Sequence, residues 1–134
     1  MKKIYQKSHN DCYPCCLAML LKMRKEDIPI FNSKNYAKEK LQWLESNNLV
    51  AITIPTTLKT KKFPMLYFPK SFFCLGFLRL KHKRFGHAVI LKFDKIEIDS
   101  WKFKIWHDPL GSESPYDISN LEFIEFIISK DFLK

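Results

Sequence analysis

The sequence predicts an α+β domain in which N-terminal helices pack on a mainly antiparallel sheet. Three observations carry this. Cys16, Leu17, Leu20 and Met23 recur at helical spacing directly after a helix-start signal at Asn10-Asp11. From Leu49 to Trp106 the apolar runs are short, rich in aromatic and β-branched residues, and broken by turn residues, as strands are. The chain has 134 residues, 46% of them hydrophobic and 12 of them Phe, which suits a single domain over 1-134 with one real core.

Each element has its own signal. Asn10 or Asp11 can cap the first helix, Pro14 fits its first turn, and Lys22, Arg24 and Lys25 suit the negative end of its dipole before Pro29 stops it. Cys12 then stands at a helix N-terminus, where partial positive charge favours thiolate over thiol. Ser33 is expected to cap a second helix running to about Asn47, with Tyr36, Ala37, Leu41 and Leu44 on one face. Leu49 to Ile54 reads as a strand ended by Pro55, and the Lys- and Pro-rich stretch from Thr56 to Pro69 as a surface loop. Ser71 to Leu80 is an aromatic, apolar strand. A basic turn, Lys81-His82-Lys83-Arg84, leads to a further strand from His87 to Phe93. Lys95 to Ile98 and Trp101 to Trp106 read as two more strands around a turn at Asp99-Ser100, with Asp108 where the last one meets Pro109. Asp117-Ile118-Ser119 is expected to cap a closing helix containing Leu121, Phe123, Ile124 and Ile127.

Composition narrows the functional classes. No apolar run reaches the roughly 18 residues of a membrane span. The polar start Met1-Lys2-Lys3-Ile4-Tyr5-Gln6 is not a signal peptide, so a cytoplasmic location is expected. Three of the four cysteines (Cys12, Cys15, Cys16 and Cys74) crowd within five positions, a poor disulfide framework that fits a reducing compartment. The net charge of +9 would suit an acidic partner such as nucleic acid, anionic lipid or an acidic peptide. The lysines are spread along the chain, however, which favours an ordinary soluble surface. A monomer acting on a peptide or protein, with no nucleic acid and no cofactor or metal, is the expectation.

Gln6, Cys12, His87 and Asp108 together offer the chemistry of a thiol hydrolase. Cysteine supplies the nucleophile, histidine the base, aspartate a group to orient the imidazole, and a glutamine just upstream of the cysteine a donor to the oxyanion. Each residue also has a plainer reading: a buried small hydrophobe, a hydrogen-bonded sheet histidine, a turn-starting aspartate, a polar residue near a terminus. The polar flank before Cys12 and the Gly86-His87-apolar context favour the functional reading. Asp99 and Asn120 are alternative orienters. His9 and His82 are expected in solvent, His107 on the face opposite Asp108, Cys15 and Cys16 in the core, and Trp101 and Trp106 in the core or cleft wall.

The chain resembles the papain-like cysteine peptidases, and within them the small C39-like group whose members trim bacteriocin leader peptides. The matching segments are Gln6-Lys7-Ser8-His9-Asn10-Asp11-Cys12, Gly86-His87-Ala88-Val89-Ile90-Leu91 and His107-Asp108-Pro109, with Pro115 to Phe126 similar to that family's closing helix. The resemblance implies Cys12 as nucleophile, His87 as general base and later acid, Asp108 as orienter and Gln6 as oxyanion donor. It departs in one place. The family commonly has a small residue after the nucleophile, whereas Tyr13-Pro14 follow here, so that Tyr13 either narrows the cleft or stacks away from it.

Three rival readings share these residues. Cys12-Tyr13-Pro14-Cys15 is a C-x-x-C at a helix start, and Thr53-Ile54-Pro55 is similar to the proline loop of glutaredoxin-like oxidoreductases; that fold, however, needs an apolar strand directly before the motif, where Lys-Ser-His-Asn-Asp stands. A zinc site from Cys12, Cys15 and a distant histidine lacks its second paired half. A papain-like acyl transferase or deamidase would use the same residues as a peptidase.

Overall fold

The computed structural model describes residues 1–8, 10–31, 34–55, 71–81, 83, 86–97 and 100–133. Among these residues two α-helices, α1 (Cys12–Leu21) and α2 (Tyr36–Ser46), precede five strands: β1 (Leu49–Pro55), β2 (Phe72–Leu78), β3 (His87–Glu97), β4 (Ser100–His107) and β5 (Leu121–Ser129). All the strand pairs are antiparallel, in the order β1-β5-β2-β3-β4. The α+β class expected from the sequence is what forms. No described helix is long and apolar enough to cross a membrane.

α1 is apolar all round rather than striped, so it is swallowed whole: every residue from Tyr13 to Met19 is buried. It lies on the sheet face that carries Leu75, Ala88 and Ile90. The helix does not run on to Pro29. Lys22 adopts a left-handed conformation (φ 55°), and the Met23 N–H returns to the Ala18 carbonyl at 2.9 Å, closing the last turn seven residues before the proline. α2 begins at Tyr36, later than expected; Ser33 lies outside the described residues. Its inward face is Tyr36, Lys40, Trp43 and Leu44, whereas Ala37 and Leu41 are exposed. Lys40 turns in because a carboxylate waits for it, as described below.

The opposite sheet face carries Cys74, Leu78, Val89, Leu91, Phe93, Leu121 and Ile124. Alternation along β3 divides its side chains between the two cores. Gly76 in β2 is required by close approach, since a Cβ there would stand 2.7 Å from Leu91 Cγ. Lys95–Glu97 continues β3 instead of forming a separate strand, and Glu97 pairs with Ser100 at the start of β4. Ile98, Asp99 and the loop from Thr56 to Pro69 lie outside the described residues.

The closing helix is corrected outright. Asp117 does cap, with the reciprocal Asn120 contact of a capping box, but only a single 3₁₀ turn, Ile118–Asn120. Leu121–Ser129 is then a strand, β5, inserted between β1 and β2. Its interior position explains the misreading. An interior strand with apolar neighbours on both faces loses the alternation that marks a half-exposed one, and a run such as Phe123-Ile124-Glu125-Phe126-Ile127-Ile128 then satisfies helical spacing by accident.

Candidate active site

Antiparallel pairing of β3 with β4 brings the start of one beside the end of the other. Ile90 pairs with His107, so His87, first in β3, and Asp108, just past β4, come side by side. His87 Nε2 lies 2.6 Å from Asp108 Oδ1. The Cys12 thiol stands near enough to the same imidazole to raise its pKa, both as a hydrogen-bonding partner and through its charge. Cys12 reaches it because α1 packs on β3 with its first residue at this end of the sheet. Three of the four residues singled out from the sequence, Cys12, His87 and Asp108, are therefore brought together.

The electrostatics follow from that arrangement. Burial alone would push His87 down, but its bonds to Asp108 and Cys12 and the charges on those groups outweigh burial and raise it from 6.5 to about 9. Burial pushes Asp108 up, yet donors from His87, Ser114 and the Leu110 N–H hold its carboxyl below the usual range. Leu110 N is 2.9 Å from Asp108 Oδ1, and Ser114 Oγ donates to Oδ2. The turn that supplies them passes through Gly111 at φ +71°, a conformation that favours glycine. Tyr116 stacks on the His87 ring, centroids 4.6 Å apart and planes 22° from parallel. A cavity of about 400 Å³ opens beside Asp108, Ser114 and Tyr116, walled by Phe103, Ile105 and Ile118.

Gln6 arrives by a different route. Its backbone N–H donates to Pro109 O at 3.0 Å, which ties its segment to the residue after Asp108. Its side-chain Nε2 donates to Ser8 O at 2.7 Å, which fixes which way round the amide sits. Its Oε1 is buried without a partner. One Nε2 hydrogen serves Ser8 and the second remains available. As the first residue of α1, Cys12 has an N–H with no acceptor inside the helix.

Asp11 does not cap α1. Its carboxylate turns back to accept from the N–H groups of Lys7 (3.1 Å) and Ser8 (3.2 Å) and from the Lys25 ammonium. Although burial pushes Asp11 up, Lys25 and the two N–H groups hold its carboxyl below the usual range. It thereby pins the Gln6–Ser8 loop against the residue before Cys12. Tyr13 stacks away from the cleft: it is buried, and its hydroxyl donates to Glu125 Oε2 at 2.9 Å. Glu125 in β5 is itself 1% exposed and takes Lys40 Nζ at 2.5 Å.

The remaining candidates sort as follows. Cys15 and Cys16 are buried, as expected, and burial pushes the Cys15 thiol up to about 11. His107 is buried apart from those three, its Nε2 2.7 Å from Ile4 O. Asn120 is spent on the Asp117 N–H and does not orient His87. Trp106 packs against the α1-side core, while His9, His82, Asp99 and the Trp101 side chain lie outside the described residues. Sequence reasoning missed Ser114, Tyr116 and the Asp11–Lys25 pair. The available signal for the first was a hydroxyl in a Gly- and Pro-rich turn six residues after an orienting aspartate. Among the described residues no group of three or more His, Cys, Asp or Glu is arranged to hold a metal ion. No protein-family model, no curated protein and no solved structure matches the chain.

Proposed function

We propose that the chain is a papain-like cysteine hydrolase of the C39-like type, cleaving a peptide or isopeptide bond. The observation that carries the reading is the His87–Asp108 hydrogen bond, with the Cys12 thiol beside the same imidazole. Cys12 passes its thiol proton to His87 and its Sγ attacks the substrate carbonyl, whose C–O double bond opens to an oxyanion held by the Cys12 N–H and the free Nε2 hydrogen of Gln6. The oxyanion collapses, His87 gives its proton to the leaving amine, and a thioester remains. His87 then takes a proton from water, whose oxygen attacks the thioester and releases the acid. Asp108 keeps the imidazole aligned throughout.

An oxidoreductase using Cys12 and Cys15 fits less well. α1 rests on β3, whereas Thr53-Ile54-Pro55 ends β1 at the far edge of the sheet, and no strand is described before α1. An acyl transferase or deamidase of the same fold would share every step up to the thioester.

Alkylation by iodoacetamide, mapped by peptide mass across pH, tests the reading. Cys12 is half-buried while Cys15, Cys16 and Cys74 are buried with thiols pushed up by that burial. Cys12 is expected to react first, at a rate that falls in His87→Ala and is unchanged in Cys15→Ser. Reactivity that ignores His87 but depends on Cys15 would overturn the hydrolase in favour of redox chemistry.

A further inference from the structure

A second concavity, of about 550 Å³, lies between the N-terminal segment and the residues after α1. Lys2, Lys3 and Lys7 line one wall, Lys22, Arg24 and Lys25 the other, with Glu26 as the single acidic residue among the lining. Arg24 pairs with Asp27 and Lys25 with Asp11. Lys3 lies over the Trp106 ring, 4.8 Å from its centre. Lys2, Lys7 and Lys22 have no carboxylate partner among the described residues. Like charges gathered in a concave surface repel one another and focus a positive field, which an anionic ligand relieves.

Both walls are held by specific contacts. Ile4 N donates to Met19 Sδ at 3.3 Å, and Ile4 O lies 2.7 Å from His107 Nε2. The Lys7 N–H and the Lys25 ammonium converge on one carboxylate, that of Asp11. Asp11 immediately precedes Cys12, and Lys7 immediately follows Gln6. Asp11 thus ties the groove's Lys7 and Lys25 to the residue before Cys12.

We propose that this groove takes an acidic stretch of the same polypeptide whose bond Cys12 attacks, an inference that rests on the hydrolase reading for its direction. The link through Asp11 to the residue before Cys12 is what favours a polypeptide over other polyanions. A chain crossing the thiol site passes Asp11 and meets Lys7 next, so Glu or Asp residues several positions from the scissile bond fall among Lys2, Lys7 and Lys22. Specificity then comes from charge at a distance from the cut, and weakens with salt.

The test uses Cys12→Ala protein and fluorescein-labelled octaglutamate, followed by anisotropy. Binding is expected, with affinity falling about tenfold or more in Lys2→Glu/Lys7→Glu. The control is Lys38→Glu/Lys102→Glu, which has the same net charge but alters α2 and β4, and it should bind nearly as the parent does. Octaglutamate extended by eight uncharged residues should also protect Cys12 of the wild type from iodoacetamide, and fail to protect it in Lys2→Glu/Lys7→Glu. Absent binding, or equal weakening in both charge variants, overturns the groove. Binding without protection overturns its continuity with the cleft. Tighter binding of oligouridylate or phosphatidylserine vesicles than of octaglutamate overturns the polypeptide assignment. The hydrolase reading fails separately, through the His87 dependence of Cys12 alkylation, which requires no ligand.

Discussion

The amide of Gln6 distinguishes two reactions of the same sulfur. Alkylation by iodoacetamide displaces iodide and develops no oxyanion, whereas peptide cleavage must hold one. Gln6→Ala should therefore lower turnover by about 10²–10³ while leaving the alkylation rate of Cys12 near that of the wild type. Equal loss in both would mean that Gln6 merely supports the loop, through its bond to Ser8 O. His87→Ala, by contrast, should depress both. At this scale much of the candidate site was legible. Cysteine at a helix start, Gly-His opening an apolar strand and Asp-Pro closing the next are local patterns. Ser114, Tyr116 and the turned-back carboxylate of Asp11 were not. Their roles depend on a turn folding over His87 and on Lys25 arriving from past the end of α1, and no local pattern encodes either.

Among the elements, β5 and α2 teach the same lesson from opposite sides. Glu125 is a charged residue in an interior strand, and Lys40 a charged residue on the buried face of a helix; read singly, each argues against its own element. Together they cancel. Tyr13 completes the set, and Lys40 Nζ also sits over the rings of Tyr13 (4.7 Å) and Phe77 (5.2 Å). The pairing across 85 residues docks α2 onto the sheet beside α1. Lys40→Met should cost about 3–5 kcal/mol, because it strands the Glu125 carboxylate in the core. Adding Glu125→Gln should recover more than half of that, since the charge is gone and the amide oxygen still accepts from Tyr13. A urea titration of both variants decides it, with the unfolding slope unchanged. Gly76 makes a separate demand on β2. Its hypothetical Cβ meets Leu91 at the branch carbon, 2.7 Å away, which cannot swing aside as a chain end could. Gly76→Ala should destabilise by about 1–3 kcal/mol by the same measurement.

For the whole molecule the ionisable pairs set a pH window for both stability and chemistry. Asp11 and Asp108 are held below the ordinary aspartate value of 3.8, so their contribution is present above that pH and is lost as pH falls through their lower folded values. His87 acts in the other sense. Raised from 6.5 to about 9, it stabilises fully below pH 6.5 and loses that contribution as pH climbs to about 9. The melting temperature should accordingly hold level between about pH 4 and 6.5 and decline from 6.5 to 9. In His87→Gln the decline over that upper interval should flatten. Turnover has the same alkaline edge for a different reason: the leaving amine takes its proton from an imidazolium, so kcat/KM should fall as pH passes about 9. Asp108→Asn separates the two effects. Removing that charge lowers His87, so the alkaline edge of kcat/KM should move toward neutral pH, in addition to a loss in rate smaller than that of His87→Ala. An edge that stays near pH 9 in Asp108→Asn would show that some group other than His87 governs it, and the Cys12–His87–Asp108 triad would then not be the seat of the proton transfer.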